Sequence, residues 1–237
     1  MFSLGHSHFS DLNTAAPEAL ALLLQRRSTR AFRPDAVPDD LLQQLLLAAR
    51  RAPSGGNLQP GRLIAVQGQR RQQLTDALLQ DFQSQAPEQE DYAYFPRPMP
   101  MQLRKRQVAA AQALYGALGV ARDDRAGRDA QFACNYQFFD APVALVVTIA
   151  SHYGPGGYMD LGMTLYGLQL AAAAMGLGSC AIGALASYPA TVRRVLELPE
   201  HQHIVCGLAI GWADQTAPVN QTHTTRAPLD EWFMQLG

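Results

Sequence analysis

The stretch Arg26-Arg27-Ser28-Thr29-Arg30 places three guanidinium groups and two hydroxyl groups within five residues. A guanidinium group is a rigid fork of hydrogen-bond donors that suits a phosphate, and charge-assisted hydrogen bonds of this kind are strong. Arginine is also favoured near the C-terminal end of a helix, so the stretch alone fits an ordinary solvated turn as well. The rest of the chain must distinguish a phosphate site from a solvated turn, because a ligand that is bound by its phosphate needs space for the remainder of the molecule.

Composition limits the class of protein. The chain has 237 residues, of which 48% are hydrophobic and 16% are charged, and its formal net charge is −1. A chain of this length can bury a sizeable core, and the low share of charged residues predicts that further surface is covered by a subunit partner. The near-neutral charge gives no general attraction for nucleic acid or an anionic membrane, so neither partner is expected.

The cysteines and the apolar runs indicate a cellular compartment. Cys134, Cys180 and Cys206 are odd in number and widely spaced, which is typical of free thiols in a reducing compartment. No apolar run reaches the roughly 20 residues of a membrane span, and the first residues lack the pattern of a secretory signal. We therefore expect a cytoplasmic protein.

Hydrophobic periodicity divides the chain into helices and strands. The run from Val143 to Ile149 predicts a strand buried on both faces, and the apolar helix from Gly162 predicts a core helix with one face toward a second subunit. Asp39 is interpreted as a helix N-cap, and the aromatic residues of 228–233 as docking the C-terminal segment. The predicted helices are 17–25, 40–51, 70–82, 104–118, 129–139, 162–175 and 189–196, and the predicted strands are 63–67, 142–150, 179–184 and 204–211.

The domain organisation is expected to be simple. Residues 1–14 are polar and are interpreted as a flexible N-terminal arm, and residues 15–237 as a single domain, because no shift in composition marks a boundary. Residues 84–101 are rich in proline, glutamine, acidic and aromatic residues and form a predicted irregular loop. Loops of that length are uncommon unless they are functional, so this one is a candidate active-site lid.

A second loop, residues 52–60, has the composition of a binding surface. Its paired glycines let the backbone approach a flat ligand closely. Asn57 and Gln59 offer amide donors and acceptors. A lone Gly-Gly-Asn is also typical of a simple turn, so the loop gains meaning only in combination with other motifs.

Seven short motifs follow one another along the chain in a fixed order. They are 26–30, Ala52-Pro53-Ser54, Asn57-x-Gln59-Pro60, Asp160-x-Gly162, Gly176-Leu177-Gly178, Ala209-Ile210-Gly211 and Arg226 before Pro228-Leu229. In their order and spacing these motifs resemble the FMN-dependent nitroreductase family. The resemblance covers about residues 18–233, and the middle of the chain is similar to the branch of nitrobenzoate and dinitroaniline reductases.

The resemblance implies both a fold and an activity. The fold is α+β, with a mixed central sheet flanked by helices, in an intertwined homodimer that holds FMN at its interface. The activity is ping-pong transfer of hydride from NADH or NADPH, through flavin N5, to a nitroaromatic or quinone acceptor. Because flavin chemistry belongs to the cofactor, no catalytic side chain and no metal are expected.

The resemblance also assigns a role to individual residues. One group holds the phosphate and the nearby ribityl chain, a second flanks the isoalloxazine ring, in part from the neighbouring subunit, and a third lies along the ring. These groups are Arg26, Arg27, Ser28, Arg30 and Arg226; Pro53, Ser54 and Asn57; and Ile182 and Gly183.

One departure from the family pattern and several alternatives remain. Gly61 follows Pro60 where the family commonly has tryptophan, which should change the packing beside the ring or at the dimer seam. The same fold could instead serve dehydrogenation, dehalogenation or flavin fragmentation, or a flavin-storage protein without turnover. The choice between NADH and NADPH stays open, with Arg97, Arg104 and Lys105 as candidates for a 2′-phosphate.

Overall fold

A four-stranded sheet lies between two layers of helices in the computed structural model, which describes residues 18–236. The N-terminal arm predicted for residues 1–14 lies outside the described residues. The helices are α1 Glu18–Gln25, α2 Asp39–Ala49, α3 Gly68–Gln83, α4 Met101–Ala117, α5 Arg125–Ala133, α6 Pro155–Ala174 and α7 Pro189–Leu196, and the strands are β1 Arg62–Val66, β2 Val143–Ala150, β3 Gly178–Ile182 and β4 Gln202–Gly211.

The sheet confirms the α+β class and refines its topology. The strand order is β1-β2-β4-β3, and every neighbouring pair is antiparallel. The resemblance implies a mixed sheet, but within residues 18–236 the only parallel pairing is a single bridge between Ser28 and Ser179. Since β3 is an edge strand, this bridge places the arginine stretch against the free edge of the sheet.

Strand β2 is buried on both faces, as its continuous apolar run predicts. Successive side chains of a strand point to opposite faces, so β2 supplies two separate cores. Leu145, Val147 and Ile149 pack with α2 and α6 on one face. Ala144 and Val146 pack with α3 and α7 on the other.

Five helices, α2 to α6, begin earlier than predicted, and α2 and α6 show why. Helix α2 begins at Asp39, its N-cap position is Pro38, and no side chain caps it, so the interpretation of Asp39 as the cap is wrong. Asp39 lies in the first turn instead, where a negative charge is favourable to the helix dipole. Helix α6 begins at Pro155, because proline suits the first helical position, and it continues through Gly156 and Gly157, which precede the predicted start at Gly162.

The helix predicted for 129–139 is wrong beyond Ala133. Three consecutive residues there adopt left-handed φ values of 54°, 52° and 54°: Phe138, Phe139 and Asp140. The guanidinium group of Arg71 stabilises this turn by donating hydrogen bonds to the carbonyl oxygens of Ala141, at 2.6 Å, and Gln137, at 3.0 Å. A contact distant in sequence therefore overrides the local helical pattern.

The C-terminal segment does not dock by its aromatic residues within one chain. Trp232 is 81% exposed and Phe233 is 44% exposed, so that prediction is wrong for the isolated protomer. The carboxylate of Glu231 holds the segment instead, accepting hydrogen bonds from Arg106 at 2.6 Å and Gln102 at 2.5 Å on α4. Across residues 18–236, no helix has the length and apolarity needed to cross a bilayer.

Candidate functional site

The arginine stretch runs along the outer edge of β3. The backbone N–H of Thr29 donates to the carbonyl oxygen of Ser179 at 3.0 Å, and Thr29 is buried. Gly178 makes this approach possible, because a Cβ atom there would lie 2.5 Å from Oγ1 and 2.8 Å from Cγ2 of Thr29. Gly178, the first residue of β3, thus lets the arginine stretch reach the edge of the sheet.

The three arginines of the stretch have only neutral partners. Arg26 donates to Oε1 of Gln169 at 3.3 Å, Arg27 to the carbonyl oxygen of Asn220 at 3.5 Å, and Arg30 to that of Ser28 at 3.4 Å. Among the described residues none of the three pairs with a carboxylate, and the buried Nε of Arg26 has no hydrogen-bond partner. Within the described part of the chain, no carboxylate therefore neutralises their positive charge.

Cys180 lies beneath this cluster of cations. Burial raises the pKa of its thiol, while Arg30, a hydrogen bond with Ser28 and Arg26 act in the opposite direction. Burial prevails, so the thiol stays protonated and the local charge remains positive.

The loop of residues 52–60 is ordered by its own hydrogen bonds and by α6. Oγ of Ser54 accepts from the backbone N–H of Gln59 at 2.9 Å, and the buried carboxylate of Asp160 accepts from that of Gly55 at 3.0 Å. Pro53 and Asn57 stay exposed at the surface. The loop is thus held in one conformation by these hydrogen bonds, and it exposes Pro53 and Asn57 to solvent.

Helix α6 connects this loop with the cations. Asp160 holds the loop and Gln169 holds Arg26, and both residues belong to α6. Nine residues separate them, which corresponds to about 14 Å along a helix axis. One rigid element therefore sets the spacing between the two halves of the predicted site.

Gly61 has a structural explanation. Its φ is +91°, and a Cβ atom there would lie 2.6 Å from Cδ1 of Leu161 and 3.2 Å from the carbonyl oxygen of Thr148. No side chain fits, because Leu161 already fills the space. The departure from the family pattern is thus accommodated by the packing of α6 against the end of the loop.

Ile182 and Gly183 lie at the end of β3, and Tyr94 covers Gly183. A Cβ atom on Gly183 would be 3.4 Å from two ring carbons of Tyr94 and 3.6 Å from its hydroxyl oxygen. Phe95 packs edge-on against Tyr94 with their ring centroids 4.7 Å apart. Partial burial raises the pKa of Tyr94, so its hydroxyl remains neutral.

The segment that carries Tyr94 is firmly attached on one side. Oδ2 of Asp91 accepts from Arg193 at 2.6 Å and from the backbone N–H of Ile204 at 2.8 Å. The hydroxyl of Tyr92 donates to the carbonyl oxygen of Val205 at 2.7 Å. These bonds tie the segment to α7 and β4, so any lid in 84–101 begins only after Tyr92.

Other predicted residues are not gathered with the cluster within one protomer. Arg226 is exposed and donates to Oγ1 of Thr224 at 2.9 Å and to neighbouring carbonyl oxygens. Arg97 pairs with Glu90 at 3.2 Å, while Arg104 and Lys105 are exposed on α4. Their roles in cofactor or nucleotide binding remain predictions.

Three polar residues organise the site without having been predicted as site residues, although Asp160 belongs to one of the motifs that carry the family resemblance. Gln169, Asp160 and Asn220 each bind a predicted site segment, and Asp160 and Asn220 are buried. A polar side chain in the apolar α6 was a usable signal for Gln169. Asn220 gave none, since it lies in a polar loop. In the described part of the chain, no three His, Cys, Asp or Glu side chains meet as metal ligands would.

Comparison with known proteins relates this chain to one family. The model of the nitroreductase family matches residues 23–212. A 4-nitrobenzoate reductase of Nocardioides sp. (strain LMS-CY) is 32% identical over 213 residues, which cover 89% of this chain and 86% of the relative. The nitroreductase NfnB of Mycolicibacterium smegmatis is 33% identical over 218 residues, covering 91% and 92%.

Solved structures agree with the sequence comparison. The FMN and NADPH-dependent nitroreductase NfnB from Sphigopyxis sp. strain HMH has a TM-score of 0.88 and 41% identity, over 92% of this chain and 99% of its own. The FMN-dependent NfnB from Mycobacterium smegmatis, in complex with NADPH, has a TM-score of 0.85 and 31% identity, over 93% and 99%.

Proposed function

Since the chain belongs to the nitroreductase family, we propose that it is an FMN-dependent oxidoreductase that uses NADPH or NADH to reduce nitroaromatic compounds. Relatives named for reduction of 4-nitrobenzoate and nitrobenzene support this class of acceptor, and quinones are a second candidate class. The ping-pong order of the two substrates is part of the proposal.

The observation that carries the proposal is the cluster of arginines without carboxylate partners. A buried donor without a partner costs about 1–3 kcal/mol, so the free Nε of Arg26 favours an anionic acceptor at this place. Ser179, beside the cluster, and Ile182 are three residues apart on β3, a separation of about 10 Å. A flavin nucleotide, with a phosphate at one end and a flat ring at the other, fits that arrangement.

The residues of this chain bind and orient the cofactor. Bound FMN would supply the two-electron chemistry between nicotinamide and acceptor. Arg26, Arg27 and Arg30 would neutralise its phosphate, and its flat ring would lie near Ile182 and Gly183 at the end of β3. Tyr94 covers Gly183 and would exclude water from that face until the acceptor enters.

The proposed function is tested with purified protein loaded with FMN. We expect NADPH to remove the visible flavin absorbance without oxygen, and 4-nitrobenzoate to restore it. Replacing Arg26 with alanine should weaken FMN binding about 10- to 100-fold, because a phosphate partner is lost. Flavin that stays oxidised with both NADPH and NADH would contradict the reductase assignment.

The matched control for Arg26→Ala is Arg125→Ala. Arg125 is an exposed arginine that pairs with Asp129 within α5 at 3.6 Å. Exposed pairs of this kind contribute about 0–1 kcal/mol, so the control should keep the FMN affinity of the unmodified protein. Equal losses in the two variants would mean that the Arg26 effect is not specific to the cofactor site.

We also propose that the protein is a homodimer in the cytoplasm. Exposed apolar side chains are frequent on α6, on α4 and in the C-terminal segment, and large exposed apolar surface usually marks an interface. All three cysteines are free thiols, which fits a reducing compartment. The mass in solution should be about twice the 25.8 kDa of one chain. The exposed side chains include Met159, Met163, Tyr166, Met101, Leu103, Val108, Trp232 and Met234.

Tyr94 is expected to limit the size of the acceptor. Replacing it with alanine opens the space above Gly183, so kcat/KM for a bulky nitroaromatic should rise about tenfold relative to nitrobenzene. Tyr94→Phe keeps the ring and should keep the original ratio. The measurement is steady-state kinetics with both acceptors, and an unchanged ratio in the alanine variant would show that the ring does not restrict entry.

A further inference from the structure

Asn220 connects two distant parts of the chain at the edge of the cation cluster. It lies in the short 3-10 turn Pro218–Gln221 and is only 6% exposed. Its Oδ1 accepts from the backbone N–H of Arg30 at 2.7 Å, and its Nδ2 donates to the carbonyl oxygens of Ala31 and Asp214, both at 2.8 Å. Its own carbonyl oxygen accepts from the Arg27 guanidinium.

This side chain acts as a substitute for a neighbouring strand. A carboxamide has one acceptor oxygen and two donor hydrogens in a plane, so it can satisfy a backbone N–H and a carbonyl at once. Asn220 does this for the peptide units of Arg30 and Ala31. On the inner side, the N–H of Thr29 is bound by Ser179 of β3. The arginine stretch is thus fixed from both sides.

The consequence concerns the direction of the cationic side chains. Arg27 and Arg30 have no carboxylate partner among the described residues, so no ion pair orients them. Their positions depend on the backbone that carries them, and Asn220 holds that backbone. The ring end of the site, at Gly183 and the loop of residues 52–60, makes no hydrogen bond with Asn220.

We propose that Asn220 is a positioning residue for the phosphate of the flavin nucleotide, and that it sets the preference of the protein for FMN over riboflavin. This rests on the proposed function, because it assumes that the cations bind that phosphate. In this proposal Asn220 makes no contact with the cofactor. It acts through Arg27 and Arg30, by holding the peptide segment from which both side chains extend.

The test compares two flavins that differ only in the phosphate. Apoprotein is titrated with FMN and with riboflavin, and binding is followed by flavin fluorescence. Replacing Asn220 with alanine should weaken FMN binding about 10- to 100-fold and change riboflavin binding less than about threefold. Asn135→Ala is the matched control, since among residues 18–236 the Asn135 amide donates to the carbonyl oxygen of Phe132 alone, and it should leave both affinities unchanged.

The outcomes separate the inference from the proposed function. An equal loss for both flavins, or an unchanged preference for FMN, in Asn220→Ala would overturn the inference alone. Unmodified protein that binds FMN no better than riboflavin would overturn both. If the alanine variant does not fold, Asn220→Ser decides, because its shorter side chain keeps a polar group at this place but cannot make the two donations of the amide. Its FMN preference should lie between those of the unmodified protein and of Arg27→Ala.

Discussion

Replacing Gly178 with alanine is expected to weaken FMN binding about 10- to 100-fold, because overpacking of this degree costs about 1–3 kcal/mol. The new Cβ atom would lie 2.5 Å from Oγ1 and 2.8 Å from Cγ2 of Thr29. Thr29 is short, β-branched and buried, so it cannot turn away. The arginine stretch must then move away from the edge of β3. Its guanidinium groups then no longer converge on one phosphate position. Flavin fluorescence titration of the apoprotein measures the effect.

Two further variants make this prediction specific. A Cβ atom on Gly116 of α4 would meet no atom within 4 Å beyond the backbone of its own helix, so Gly116→Ala should leave FMN affinity unchanged. Combining Gly178→Ala with Thr29→Gly removes the clashing side chain and should restore part of the affinity. If the single Gly178 variant binds FMN as tightly as the unmodified protein, the contact between the stretch and β3 does not position the cofactor.

Replacing Asp91 with alanine is expected to lower the free energy of unfolding by about 3–5 kcal/mol, because it leaves a charge unpaired at a largely buried site. The side chains of Arg193 and Asp91 are only 18% and 11% exposed. The same carboxylate also accepts from the N–H of Ile204 on β4, which would lose its partner. Urea denaturation followed by circular dichroism measures the change.

The adjacent acidic residue is the matched control for Asp91. The side chain of Glu90 is 16% exposed, but its partner Arg97 is 72% exposed and stays solvated when the carboxylate is removed, so Glu90→Ala should cost less than Asp91→Ala. Asp91→Asn keeps an acceptor for Ile204 and should lie between the two alanine variants. Similar losses for Glu90→Ala and Asp91→Ala would show that the buried pair does not hold the segment to the body of the protein.

Local sequence patterns predict most helices and strands, but contacts between residues distant in sequence decide where some of them end. Helix α7 has the predicted bounds because Pro189 begins it and an amphipathic pattern continues it. The continuous apolar run of residues 143–149 likewise predicts the buried strand β2. The left-handed turn at Phe138 was missed because Arg71 imposes it from α3. No local pattern contains that information.

The candidate site, too, could be predicted only in part from the sequence. Residue type and order indicated the arginine stretch and the glycine loop, because their chemistry can be read directly from the sequence. The partners that orient them could not be read, since Gln169 and Asn220 lie 143 and 190 residues from the arginines they bind. Membership of the family came from the order of motifs, whereas the positions of side chains came only from the folded chain.

The bond between Asn220 and Arg30 also has a consequence for biosynthesis. Its partners are 190 residues apart, so a nascent chain still lacking the turn at Pro218–Gln221 has no means to fix the arginine stretch from outside. Contacts of such long range form late, because the intervening chain must first be synthesised and ordered. Flavin uptake should therefore begin only after this turn has been synthesised.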